Sequence, residues 1–189
     1  KQITAISLVG ERIWFGTGDG VGILDLKNGT WRVWDAGKET AILDITPIST
    51  DLVAVGHADG LSILNSAGKE VTSSLLGARV VSVEVAAGYL HALRIEGDSA
   101  KLSSIIIDSI ENGNLAGIER DSGDINSVLR ATLAASGNNL YLHQDRILGS
   151  VSCVLTADPL GPPIVVDGSE ILANDSSCRY CYMVRLRKR

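Results

Sequence analysis

Three histidines, three cysteines and the recurrent aspartates Asp19 and Asp59 are the residues of this 189-residue chain singled out as able to do chemistry. A histidine can act as a general base or a metal ligand near neutral pH. His91 and His143 alternate with apolar neighbours, and His57 stands at a turn, so all three read as polar positions of half-buried strands. Cys178-Arg179-Tyr180-Cys181 has the two-residue gap of a zinc knuckle or a redox pair. On a strand, positions three apart point to opposite faces, and Cys153 alone cannot supply a second pair of ligands. The Gly16–Gly22 stretch fails the dinucleotide pattern because Val21 stands at the third glycine, and it lacks the lysine of a nucleotide-binding loop. Asp19 and Asp59 recur beside glycine and read as hairpin formers, as the glycines read as turn chemistry. No Ser–His–Asp or paired-carboxylate set stands out. The sequence therefore nominates no catalytic residue, no metal site and no cofactor.

Composition bounds the elements that would carry such residues. Hydrophobic residues make up 45% and charged residues 21%, which suits a globular core and excludes a disordered chain. Twenty glycines against four prolines, spread between short apolar runs, point to many tight turns and many short strands. The net charge of -5 offers no general attraction to nucleic acid or anionic membranes. No apolar run approaches the ~20 residues of a membrane-crossing helix. No secretory pattern is visible; an opening at Lys1 without Met reads either as a trimmed chain or as one domain of something longer. An odd count of three cysteines argues against a disulfide scaffold and favours a cytoplasmic, reducing compartment.

The strongest pattern is an internal repeat. Ile13-Trp14-Phe15-Gly16-Thr17-Gly18-Asp19-Gly20-Val21-Gly22-Ile23-Leu24-Asp25 superimposes on Val53-Ala54-Val55-Gly56-His57-Ala58-Asp59-Gly60-Leu61-Ser62-Ile63-Leu64-Asn65 at a constant offset of 40. In each copy an apolar run reaches Asp-Gly and reverses into a second run, which is a β-hairpin. Ile3–Leu8 and Ile42–Thr46 precede the two hairpins, the second after a one-residue adjustment, and Thr30–Trp34 and Glu70–Ser74 follow them. Four strands per ~40 residues is the unit of a propeller blade. Weaker units continue through Val80–Val85, Leu90–Arg94, Leu102–Asp108, Leu115–Glu119, Leu129–Leu133, Leu140–His143 and Ser150–Leu155. Ile164–Val166, Glu170–Leu172 and Tyr180–Leu186 follow as an irregular end, with Pro159–Pro163 as a loop.

The stretch Ile3-Thr4-Ala5-Ile6, Ile13-Trp14-Phe15-Gly16-Thr17, Gly20-Val21, Leu24-Asp25 and Gly29-Thr30-Trp31 resembles the propeller repeat of two-component-regulator sensor proteins. More loosely it is similar to WD-repeat blades, although Trp34-Asp35 falls on the fourth strand and Ala54 replaces Trp14 in the second unit. The expected fold is all-β: a small β-propeller of about five, or four to five, four-stranded antiparallel blades in a single domain. Approximate units are 3–39, 40–78, 79–124, 125–168 and a partial 169–189. Since sheet edges need protection, such a ring is closed, or incomplete and closed by a partner.

Function then rests on surfaces. Trp31 and Trp34 are large amphipathic rings of the kind that anchor interfaces, with packing between blades as the plainer alternative. Arg185, Arg187, Lys188 and Arg189 put four positive charges at the end of a two-faced strand, where they deter edge aggregation or meet an anionic partner. The expectation is a non-enzymatic protein–protein interaction or scaffold module. Its partner is another protein, with nucleic acid as a weaker candidate for the basic tail and an oligomer if the ring is open. A propeller enzyme would need the histidines to converge. A ligand-sensing domain of a longer signalling protein is implied by the resemblance alone.

Overall fold

A computed structural model describes residues 2–34, 40–75, 77–96, 99–110, 115, 117–121, 128–146, 149–159 and 182–184. The first blade is a meander of β1 (Ile3–Val9), β2 (Arg12–Thr17), β3 (Gly20–Asp25) and β4 (Trp31–Trp34). The second contains β5 (Ile42–Pro47), β6 (Leu52–His57), β7 (Gly60–Asn65) and β8 (Glu70–Ser74). The third contains β9 (Arg79–Ala86), β10 (Tyr89–Glu96), β11 (Ser99–Ile106) and β12 (Gly117–Asp121), with a one-turn helix α1 (Ile107–Ile110) before its last strand. The fourth contains β13 (Val128–Ser136), β14 (Asn139–Arg146), β15 (Gly149–Thr156) and β16 (Tyr182–Val184). Each is a four-stranded antiparallel sheet in sequence order, so the described strands make four blades, the lower of the expected numbers. Tyr182–Val184 pairs with β15 as the last strand of the fourth blade, and 160–181 lie outside the described residues.

The one-residue adjustment between units has a structural cause. Register slips in every first strand: at Thr4 between Ile3 and Ala5, at Leu43 between Ile42 and Asp44, at Val81 opposite Leu93/Arg94, and at Leu129 between Val128 and Arg130. One bulge per blade, at the same place, makes Ala5, Asp44, Ser82 and Arg130 equivalent positions.

The repeated glycines divide into two jobs. Gly20 and Gly60 close the hairpins at φ +141° and +148°, a region that disfavours side chains. Gly16 and Gly56 lie inside strands, where a Cβ would sit 2.5 Å from Ile42 Cγ2 and 3.0 Å from Val80 Cγ1. These two therefore serve blade-to-blade approach, a correction to reading the whole Gly16–Gly22 and Gly56–Gly60 pattern as turn chemistry.

Strand alternation gives the blades apolar faces where they meet, and three buried clusters fill the three boundaries between them. Trp14, Val21 and Ile23 of the first pack on Ile42, Ile45, Val53, Val55 and Leu64 of the second. Ala54, Leu61 and Ile63 pack on Val80, Val83, Leu90, Ala92 and Ile105 of the third. Leu93, Ala100 and Leu102 meet Leu133, Leu140 and Leu142 of the fourth. The first strands touch in succession, β1 with β5, β5 with β9 and β9 with β13, and the described residues show no comparable return from β13 to β1. The arc is open.

Candidate functional site

The histidines are the first candidates to test. His57 ends β6, 5% exposed, with its Nδ1 accepting the Asp59 N–H at 3.3 Å. Its proton therefore lies on Nε2, which donates to Ser62 Oγ at 3.1 Å, and the Ser62 hydroxyl donates onward to Glu70 Oε2 at 3.0 Å. The serine proton points away from the imidazole, the reverse of what an activated nucleophile needs. Burial holds His57 below its ordinary pKa, against the smaller opposing fields of Asp59 and Glu70. Thr17, forty residues earlier, accepts the Asp19 N–H in the same way at 3.2 Å, so His57 is a turn-bracing residue of the repeat.

His91 is fully buried at the boundary of the third and fourth blades. Its Nε2–H donates to the Ala86 carbonyl at 3.3 Å, while Nδ1 accepts from Ser104 Oγ at 2.9 Å. The bonds of the two described imidazoles thus stay within separate blades, His57 in the second and His91 in the third. For His143 the description extends to the backbone, which pairs with Ser152 as His91 pairs with Ser104.

Carboxylates meet near the inner strands. Asp44 Oδ2 accepts from Ser82 Oγ at 2.8 Å and the Val83 N–H at 2.9 Å, and its Oδ1 accepts its neighbour's N–H, Ile45, at 2.9 Å. Glu84 is pushed above its ordinary value, chiefly by burial and then by Asp44. Asp44 is committed to joining blades. Among the described residues no group of three or more His, Cys, Asp or Glu is placed to hold a metal. A cleft of about 30 Å³ at the rim holds Arg12, which donates to the Ser66 carbonyl at 2.9 Å and pairs with Asp25 at 3.6 Å.

The outer face of the first blade is different in kind. Registers align Leu8, Ile13, Leu24 and Trp31 in one row and Ile6, Phe15, Gly22 and Val33 in the next. The Phe15 ring lies across Gly22 and stacks on Trp31, centroids 5.8 Å apart and planes within 10°. Trp31 is 62% exposed, and Ile6, Leu8 and Val33 are equally open. Trp34, in the next position but two, ends β4, and its side chain lies outside the description, as do Cys178, Cys181 and the basic residues Arg185, Arg187, Lys188 and Arg189.

Sequence reasoning singled out Trp31 but missed Ile6, Leu8, Phe15 and Val33. Their signal lay in the repeat: Ile13, Phe15 and Leu24 occupy the places of Val53, Val55 and Leu64, which are buried against the preceding blade.

The fold defines a β-propeller-type module, whose described strands form four blades of an open arc. No family model and no curated protein matches the sequence. Solved structures do. The computationally designed Ika8 protein matches with a TM-score of 0.62 at 15% identity, over 89% of this chain and 50% of that one. The extracellular domain of BT4673 from B. thetaiotaomicron matches with a TM-score of 0.60 at 17% identity, over 94% and 24%. Kuenenia stuttgartiensis hydrazine synthase matches with a TM-score of 0.63 at 12% identity, over 82% and 51%. The chain spans about half the length, or less, of these structures, and at such identities the likeness shows the fold alone.

Proposed function

We propose that this chain is a propeller interaction module that works by binding another protein through the outer face of its first blade, without chemistry of its own. The observation that carries this is the continuous exposed apolar face of Ile6, Leu8, Trp31 and Val33, with Phe15 stacked beneath Trp31. Isolated apolar residues are common on surfaces, but two adjacent cross-strand rows mark a contact site. Commitment of His57 and His91 to structural bonds within two different blades further favours binding over catalysis.

A photo-crosslinking residue at Val33 is expected to capture a protein, and the same residue at Asp51, on the loop before β6, to capture none. Equal capture at both positions, or none at Val33, would sink the reading.

A sensory role in a longer signalling protein is the second reading. It is supported by the repeat in residues 3–35 and by the likeness to BT4673, which is classed as a one-component and as a hybrid two-component system. Binding of a small ligand by the isolated chain, with no protein captured at Val33, would favour it.

A further inference from the structure

We infer that the occupant of the open first-blade face is the fourth blade of a second copy of this chain, so that two copies close one ring. The inference rests on the interaction reading above and names its partner.

Equivalent positions carry the case. Each blade turns one face towards the next and the other towards the one before it. Ile6 of the first blade, Ile45 of the second and Val83 of the third share one register position on the backward face, opposite Phe15, Val55 and Ala92. Ile45 is 4% exposed and Val83 0%, each against the blade before it, whereas Ile6 is 67% exposed. The first blade thus keeps the surface of a blade-to-blade interface, open among the described residues. It is continuous in kind with the three apolar boundaries already formed.

What has packed on that surface at the other boundaries is the forward face of a blade. Among the four, the forward face of the last is open: Thr132, Ala134 and Tyr141 are exposed, while Leu133, Leu140 and Leu142 on its other side are buried against the third blade. Forward face on backward face is a head-to-tail contact, and such a contact closes if the rotation per blade completes a circle. The chain matches 89% of its own length to half of Ika8 and 82% to 51% of the hydrazine synthase chain, so two copies account for one such chain. Closure protects both ends of the arc from other proteins.

Sedimentation of the purified chain tests this, with Val33→Asp on the first blade and Tyr141→Asp on the fourth. Both sites are exposed, so far-UV circular dichroism is expected to match wild type. Wild type is expected at twice the chain mass and each variant at the single-chain mass. Mixing the two variants restores association, because one intact head still meets one intact tail. A monomeric wild type overturns the inference. So does a dimer that survives Tyr141→Asp but not Val33→Asp, which would mean that first blades pair with each other. If the chain is monomeric yet a different protein is captured at Val33, self-docking fails while the interaction module stands.

Discussion

Ser82 donates its hydroxyl to Asp44 at 2.8 Å across the boundary of the second and third blades, and its oxygen accepts the Leu133 N–H of the fourth at 3.1 Å. One serine thereby links three successive inner strands. Thr46 Oγ1 adds a bond to the Val83 carbonyl at 2.9 Å beside it. Apolar packing holds the blades together without fixing their relative slide, since it has no direction. These bonds set the register of blade on blade.

Ser82→Ala leaves the Leu133 N–H without its acceptor in a largely buried place and takes one of two donors from Asp44 Oδ2, which keeps the Val83 N–H. It is expected to cost about 1–3 kcal/mol, read from urea unfolding. An unchanged midpoint would show that water replaces the hydroxyl freely.

Gly16→Ala sets a methyl 2.5 Å from Ile42 Cγ2, which is fully buried and cannot swing away. The expected loss is about 1–3 kcal/mol. Combined with Ile42→Ala, the same glycine change costs less, and a double-mutant cycle measures the coupling. Strict additivity would place the strain elsewhere.

Trp14 is 0% exposed, and its indole N–H finds no acceptor among the described residues. Trp14→Ala is expected to cost about 3–5 kcal/mol through the cavity it leaves. Trp14→Phe costs far less, because it keeps most of the ring and removes a donor that goes unpaired. Equal losses in thermal unfolding would reveal a hidden partner for the N–H.

His57 is held below 6.5 by burial, so the unfolded chain takes up its proton first as pH falls. Stability from this residue is complete above 6.5 and is lost as pH drops through the lowered folded value. His57→Thr, which copies Thr17 at the equivalent turn, removes that part of the acid limb in unfolding measured across pH. A limb of unchanged slope would rule His57 out as its source.

Trp31→Ser acts on an exposed stack. The isolated chain is expected to lose at most ~1.5 kcal/mol, the scale of one aromatic pair. Association through the first blade is expected to fall away, as sedimentation would report. Stability lost without any change in association would make the stack a local brace.

The strands themselves were legible because alternation and turn glycines are local. Asp19-Gly20 and Asp59-Gly60 mark their hairpins in the sequence, and the 40-residue offset exposes the blade. Leu102–Asp108 reads as one strand, yet the chain turns into a short helix after Ile106, and buried Ile110 is the reason: its side chain is drawn into the boundary with the second blade. The candidate site was only partly legible. Both faces of a blade are apolar, so Ile6 and Ile45 look alike in sequence.

Sequence alone determined that this chain repeats a four-stranded, hairpin-built unit, because the φ preference of Gly20 and Gly60 and the period-2 pattern act within a few residues of themselves. Tertiary structure decided what the repeats mean to one another. It showed that Gly16 and Gly56 are contact points, that His57 braces a turn and His91 ties neighbouring strands of the third blade, and that Ile6 stands open where Ile45 is covered. Burial is a relation between blades: Ile45 lies against the first blade, and among the described residues nothing lies against Ile6.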